Sequence, residues 1–198
     1  MKTDTHQRGA RARELRIIAG AWRGRRWQFP PAAIRPTPDR VRETLFNWLQ
    51  SRIVGARCLD LFAGSGALGL EALSRGAKEV LFVESNKAAA MALRSLLALW
   101  GSSSATVRHE EAQSVLAGAV TTMDVVFLDP PFDAAVLPVV ATTLGTAGWL
   151  RPGALIYVEH AAGVAASLPA GWREIRAGRA GAVSYHLYEY LQSKDATP

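Results

Sequence analysis

Beyond residue 56 the apolar positions of the chain switch between two periods. Residues 57–62, 80–83, 105–108, 124–128 and 154–158 are short apolar runs, the pattern of strands. Between them, Ala67–Ser74 and residues 87–100, 112–117 and 136–144 repeat their apolar positions at helical spacing. Met91, Leu93, Leu96, Leu97 and Trp100 mark the longest of these helices. Residues 124–128 (Asp-Val-Val-Phe-Leu) are apolar on both faces, as a strand covered from both sides must be. Residues 172–177 and 183–190 alternate apolar with polar around a Gly/Arg-rich turn, which predicts a terminal hairpin. Strand and helix in succession specify an α/β fold: an open, mostly parallel sheet, helices on both faces, and an antiparallel ending.

The first forty residues follow another rule. Residues 15–20 and 24–29 read as two short strands around a Trp-Arg-Gly turn, a small hairpin. Pro30, Pro31, Pro36 and Pro38 keep the following chain extended. Thr37 is the expected N-cap of a helix with Pro38 at its first position, and Val41, Leu45, Trp48 and Leu49 share one face of it to near Gln50.

Charge divides the chain at the same place. The net charge is +6 over 198 residues, yet residues 1–42 carry eleven Lys/Arg against three acids, a net +8, and the remainder carries twelve against fourteen, a net −2. A basic arm on a slightly acidic body points to a polyanionic partner for the arm. A merely solvated tail suits residues 1–13 but not 14–42, where the charges alternate with Leu15, Ile17, Ile18, Trp22, Trp27 and Phe29. Trp22 and Trp27 either stack nucleic-acid bases or pack the hairpin. A single cysteine excludes an internal disulfide framework and multi-thiolate zinc sites. Cys58, inside a strand, reads as a small buried hydrophobe. No metal is expected. No apolar run reaches membrane-span length and the polar start has no signal-peptide stretch, so a cytoplasmic address without membrane association is expected.

Two motifs carry the chemistry. Gly64-Ser65-Gly66-Ala67-Leu68-Gly69 follows one strand and opens a helix, with Asp60 just upstream and Glu84 ending the next strand. Glycines let the backbone turn tightly and approach a ligand, and the later carboxylate can accept ribose hydroxyls. An acid there disfavours a 2′-phosphate, but it does not separate NAD from S-adenosylmethionine. The second motif, Asp129-Pro130-Pro131-Phe132, comes directly after the central strand, at the sheet edge where such folds bind ligands. Pro-Pro fixes a rigid extended turn that can hold the Asp129 carboxylate and the Pro130 carbonyl side by side as two acceptors. The lone pair of an exocyclic amine is delocalised into its ring. Two acceptors gripping its N–H bonds favour a pyramidal nitrogen aimed at an incoming methyl, while Phe132 offers a flat face to a flipped base.

The pair of motifs resembles class I S-adenosylmethionine-dependent methyltransferases that act on exocyclic amines, and more closely the ribosomal small-subunit methyltransferase D family, which methylates a guanine N2 of 16S rRNA. The resemblance runs from about Arg16 to Tyr190. It includes Arg16-Ile17-Ile18-Ala19-Gly20, Trp22-Arg23-Gly24-Arg25, Arg35-Pro36-Thr37, the run from Asp39 to Trp48, Leu59-Asp60, the glycine loop, Asp129 to Phe132 and Tyr157-Val158-Glu159. It implies a Rossmann-like, seven-stranded methyltransferase sheet with an antiparallel C-terminal hairpin and a small N-terminal β-hairpin. It divides the chain into a disordered basic tail (1–13), a basic hairpin and extended segment (14–36), the methyltransferase domain (37–192) and a short tail (193–198).

Carried over by position, Asp129, Pro130, Pro131 and Phe132 would be catalytic. Asp60, Phe62, Gly64, Gly66, Glu84, Glu111, Ala112 and Asp129 would bind S-adenosylmethionine. Glu111 stands where methyltransferases of this fold usually have a shorter Asp or Asn reaching the adenine amine, so the backbone N–H of Ala112 takes on more of that contact. Arg16, Arg23, Arg25, Arg26, Thr37, Arg40 and Arg42 would bind RNA, with Arg40 and Arg42 facing either phosphate or the cofactor carboxylate. The expected partner is 16S rRNA in the small subunit or its precursor, bound by a monomer. Glu159 reads as a polar strand end beside the cleft. Adenine-N6 methylation of DNA uses an equivalent tetrapeptide but usually a larger target-recognition domain. A nicotinamide oxidoreductase would want a Tyr-x-x-x-Lys, and Tyr185 is followed four places on by Glu189. A non-catalytic RNA-binding assembly factor would leave both motifs unexplained.

Overall fold

The computed structural model describes residues 13–29, 37–131 and 136–191. Phe132, Arg35-Pro36, Pro30, Pro31 and most of the expected tails at 1–13 and 193–198 lie outside the described residues.

The element order is β1 (Arg13–Arg16), β2 (Arg26–Phe29), α1 (Asp39–Trp48), β3 (Arg57–Asp60), α2 (Ala67–Ser74), β4 (Glu79–Val83), α3 (Lys87–Leu99), β5 (Ala105–Arg108), α4 (Ala112–Leu116), β6 (Met123–Leu128), α5 (Val136–Thr146), β7 (Leu150–Ala161), β8 (Trp172–Ala180) and β9 (Val183–Tyr190). Strands β3 to β9 form one seven-stranded sheet in the order β5-β4-β3-β6-β7-β9-β8. It is parallel from β5 to β7, and β9 runs antiparallel to both neighbours. The strand sequence reverses between β3 and β6. Connections therefore leave in opposite directions from these two strands and open a crevice above their carboxyl ends.

The apolar alternation along the strands builds two cores. Cys58, Phe82, Val125 and Phe127 face α1, α2 and α3, whereas Leu59, Val83, Val126 and Leu128 face α4 and α5. Trp149 closes the second core, buried to 1% exposure, and its indole N–H donates to the Leu116 carbonyl at 3.1 Å.

Three expectations from the sequence change in the structure. Strand β7 begins at Leu150 rather than 154, because Pro152-Gly153 forms a bulge opposite Met123–Val125 instead of ending the strand. The N-terminal hairpin is shorter in its ladder than the apolar alternation suggests. The amides of Ile18 and Ala19 turn away from the partner strand and donate to the two carboxylate oxygens of Glu71, at 2.9 and 3.0 Å. Gly20 makes that approach to α2 possible: it has a positive φ, and a side-chain carbon there would meet the Ser74 carbonyl oxygen at 1.9 Å. Finally, Thr37 does not cap α1; Pro38 holds the cap position without a side-chain bond, and the Thr37 hydroxyl is committed elsewhere.

Helix α1 also buries more than its apolar stripe. Arg42 is wholly buried beside Phe46 and Leu45, its guanidinium 2.6 Å from Asp39 and 3.5 Å from Glu71, and it donates to the Arg16 carbonyl at 3.0 Å. Glu71, equally buried, also receives Arg75 at 2.8 Å. This carboxylate thus joins the hairpin, α1 and α2 through charged and backbone donors. Removing one partner of a buried ion pair leaves the other uncompensated. Glu71→Gln should therefore lower unfolding free energy by about 3–5 kcal/mol in urea denaturation, and hasten proteolysis within residues 13–29.

Candidate functional site

Above the carboxyl ends of β3, β4 and β6 lies a cleft of about 450 Å³. Its floor is the glycine loop. Gly64 and Gly66 have φ of +51° and +77°, and Gly66 ends the turn as the residue before α2. Gly66 has no side chain to cap that helix. The cap comes from β3 instead: the buried Asp60 carboxylate accepts the Gly69 amide at 3.0 Å, in the helix's first turn. Glu84 pins the loop from the next strand, accepting the Gly64 amide at 2.7 Å with one oxygen and the Asn86 amide at 2.7 Å with the other. Phe62, Glu111 and Ala112 line the same cleft, Glu111 as the residue that opens α4.

Asp129, Pro130 and Pro131 line the same cleft. Leu128 of β6 lies beside Val158 of β7 in parallel register, so Asp129, just past β6, stands beside Glu159, which lies within β7 rather than at the strand end expected from the sequence. The Thr37 hydroxyl links them, donating to Glu159 at 2.8 Å with Asp129 3.4 Å away. The Tyr157 hydroxyl donates to the same Glu159 oxygen at 2.8 Å. Burial, then the charges of Glu159 and Asp60, push the Asp129 carboxyl well above the usual range, against the Thr37 contact. Burial raises Glu159 as well, opposed by the bonds from Thr37 and Tyr157.

The lining as a whole is one-signed. Asp60, Glu84, Glu110, Glu111, Asp129 and Glu159 all border the cleft, and among the described residues no Arg, Lys or His does. Burial and, after the opposing Gly69 bond, the charge of Glu84 set the Asp60 carboxyl at about 7.

The basic residues named from the sequence divide differently. Arg16, Arg23, Arg25, Arg26 and Arg40 are exposed, and Arg25 lies over the rings of Trp22 and Trp100 at 5.9 and 5.5 Å. Arg16 pairs with Asp39 and Arg26 with Glu14. Arg42 is a correction: with no exposed surface and its guanidinium held by the buried Glu71 and by Asp39, it has no face for phosphate. Neither Arg40 nor Arg42 lines the cleft, so the expectation that one of them meets a cofactor carboxylate there has no geometric support. Thr37 faces two carboxylates inside the cleft rather than the basic surface. Trp27 is buried and donates to the Ser65 carbonyl at 2.9 Å, which makes it a support of the glycine loop. Cys58 is buried and its thiol is pushed up by burial, as an inert core residue's would be.

Sequence reasoning undervalued Glu159. The signal was present in its position one residue beyond Val158, but only the pairing of β7 with β6 sets it against Asp129.

The family model described as conserved hypothetical protein 95 matches residues 15–189. Ribosomal RNA small subunit methyltransferase D of Escherichia coli K12 is 47% identical over 178 residues, covering 89% of this chain and 90% of that one. The protein of the same name from Haemophilus influenzae is 44% identical over 181 residues, covering 89% and 94%. The chain belongs to the ribosomal RNA small subunit methyltransferase D family. The solved yhhF structure from Escherichia coli has the same fold, with a TM-score of 0.83 at 45% identity over 91% of this chain and 99% of that one. The seven-stranded sheet with its antiparallel ending and the small N-terminal hairpin, both expected from the sequence, are thus the fold of this family.

The raised Asp60 carboxyl has a consequence for stability. Unfolded, Asp60 ionises near its ordinary 3.8; folded, it holds its proton to about 7. The native state binds more protons between these values, so stability falls as pH rises through that window. The ligand-free protein should lose melting temperature between pH 5 and pH 8, and Asp60→Asn should flatten that decline in differential scanning fluorimetry.

Proposed function

We propose that this protein transfers a methyl group from S-adenosylmethionine to the N2 amine of one guanine of 16S rRNA, presented on the small ribosomal subunit or its assembly intermediate. The observation that carries the reading is the acidic cleft, bordered by six carboxylates and no cation among the described residues, and closed by Asp129-Pro130-Pro131. A dinucleotide would bring two phosphate charges into that field. S-adenosylmethionine brings a sulfonium and an ammonium against a single carboxylate of its own, a net positive charge that the acidic lining attracts. The choice between NAD and S-adenosylmethionine, open in the glycine loop alone, is thereby weighed toward the cation.

The residues fit that cofactor. Each oxygen of Glu84 accepts one backbone amide and retains a lone pair for a ribose hydroxyl. Asp60, Phe62, Gly64 and Gly66 would enclose the amino-acid end, and Glu111 with the Ala112 amide would meet the adenine. When bound, S-adenosylmethionine supplies a methyl already activated by its positive sulfur. The chain's own task is placement. The Asp129 carboxylate and Pro130 carbonyl would hold the two N–H bonds of the target amine and turn its lone pair toward the methyl. The nitrogen must release a proton as the new bond forms, and Asp129, whose proton affinity is raised by burial and by Glu159 and Asp60, is placed to accept it. Phe132, outside the described residues, keeps its proposed role as a stacking face for the base.

Exposed Arg16, Arg23, Arg25, Arg26 and Arg40 support an RNA-binding surface on the arm and α1. The deciding experiment offers radiolabelled S-adenosylmethionine with small subunits from cells lacking the enzyme, naked rRNA and duplex DNA, followed by mass spectrometry of the nucleosides. N2-methylguanosine from the particles is expected. Label on adenine, or on DNA, would overturn the reading.

Asp129→Ala should reduce kcat by at least ~100-fold while calorimetry finds S-adenosylhomocysteine affinity little changed. Charge reversal at Arg23, Arg25 and Arg26 should weaken particle binding. The log–log salt dependence should flatten by about 0.7–0.9 for every phosphate that an arginine no longer neutralises. Binding indifferent to these reversals would place the RNA elsewhere.

A further inference from the structure

Pro130, Pro131 and Glu159 are the residues that border both the large cleft and a second cavity of about 170 Å³. Leu137, Pro138 and Val164 contribute apolar wall to this second cavity, which suits the faces of an aromatic base. A carboxylate on the partition between the two spaces is therefore set where the edge of a base held by Asp129 and Pro130 would lie.

The hydrogen bonds of Glu159 give its two oxygens different duties. Oε1 accepts from Thr37 and from Tyr157, both at 2.8 Å, which fixes the side chain and opposes the rise in proton affinity that burial imposes on it. Among the described residues no hydrogen bond reaches Oε2. The residue is only 4% exposed and borders both cavities, and the bonds to Oε1 hold its side chain, so Oε2 is the oxygen left for a ligand in those spaces. Asp129 stands beside it, 3.4 Å from the same Thr37 hydroxyl.

Two neighbouring acceptors select among purines by elementary chemistry. Guanine carries an N1–H donor next to its N2 amine, so its edge offers donors to both carboxylates. Adenine carries a bare N1 lone pair next to its N6 amine, and 2-aminopurine a bare N1 next to its 2-amine. For either of these, the second carboxylate would face a lone pair and remain buried without a partner.

We propose that Glu159 is a specificity-determining residue whose Oε2 accepts the N1–H of the target guanine while Asp129 accepts from the adjoining N2 amine. The proposal rests on the guanine-N2 reading given above. It assigns to one side chain the discrimination between guanine and bases that share the reacting amine but lack the neighbouring donor.

The test first maps the guanine methylated by the wild-type enzyme on small subunits lacking the modification. Particles are then reconstituted with 16S rRNA carrying 2-aminopurine at that position, which keeps the amine and removes N1–H. The wild type should favour guanine by about tenfold or more in kcat/KM. In Glu159→Gln, Thr37 and Tyr157 still donate to the amide oxygen, which turns the NH₂ group toward the base. This variant should lose about tenfold or more on guanine and hold or gain on 2-aminopurine. Equal wild-type rates on the two bases would overturn the proposal without recourse to any variant. A proportional fall on both bases in Glu159→Gln, with its melting temperature and S-adenosylhomocysteine affinity intact, would also overturn it. Absence of methylated guanine in the wild-type reaction would refute the underlying reading instead.

Discussion

Six carboxylates converge on one cleft without a cation among the described residues to neutralise them, and much else in the molecule answers to that constraint. Like charges in a partly desolvated space raise one another's proton affinity. Asp60 and Asp129 are raised accordingly, with burial the larger cause in each. The strain is contained by donors both near and far in the chain: the Gly69 amide on Asp60, the Gly64 and Asn86 amides on Glu84, and the Thr37 and Tyr157 hydroxyls on Glu159. Such a site is unfavourable when empty and becomes favourable with a cation in it. This is the electrostatic counterpart of a preorganised binding pocket.

Among the described residues the basic side chains lie away from that cleft, and the separation is structural. Glu71 collects the Ile18 and Ala19 amides, Arg42 and Arg75 at one buried point. That junction fastens the arginine-bearing hairpin to α1 and α2, while Trp27 joins it to the glycine loop through the Ser65 carbonyl. The hairpin is therefore part of the scaffold that shapes the glycine-loop side of the cleft. Its exposed arginines belong to a segment whose buried Trp27 supports that loop. In the proposed function, RNA contact and cofactor geometry share one anchoring carboxylate.

Much of this order is legible in the chain. Strand and helix positions follow from apolar periodicity because each element must bury one face, and that demand writes itself locally. The bounds of α2 and β9 coincide with their sequence patterns for this reason. Local patterns mislead where a residue's partner lies far away. Thr37 has the composition of an N-cap, yet its hydroxyl serves a carboxylate 122 residues distant. Arg42 reads as one more member of a basic arm, but it sits in the core because Glu71, on another helix, is there to meet it. The apolar run begins only at Ala154, yet β7 starts at Leu150 and bulges at Pro152-Gly153, because Met123 of β6 pairs with Leu150.

By itself, then, the sequence determined the α/β alternation, the glycine loop with its following acid, the Asp-Pro-Pro-Phe turn and the uneven charge. All of these are expressed by residues close together in the chain. Only the tertiary structure decided that Glu159 stands beside Asp129, that Thr37 bridges them, and that among the described residues the charged groups lining the cleft are all carboxylates. Those facts depend on which strands become neighbours and in what register. The pairing of Leu128 with Val158 sets two acids thirty residues apart side by side, one just past β6 and one within β7. Strand pairing is a long-range choice, made by the burial of both sheet faces together, and no local pattern encodes it.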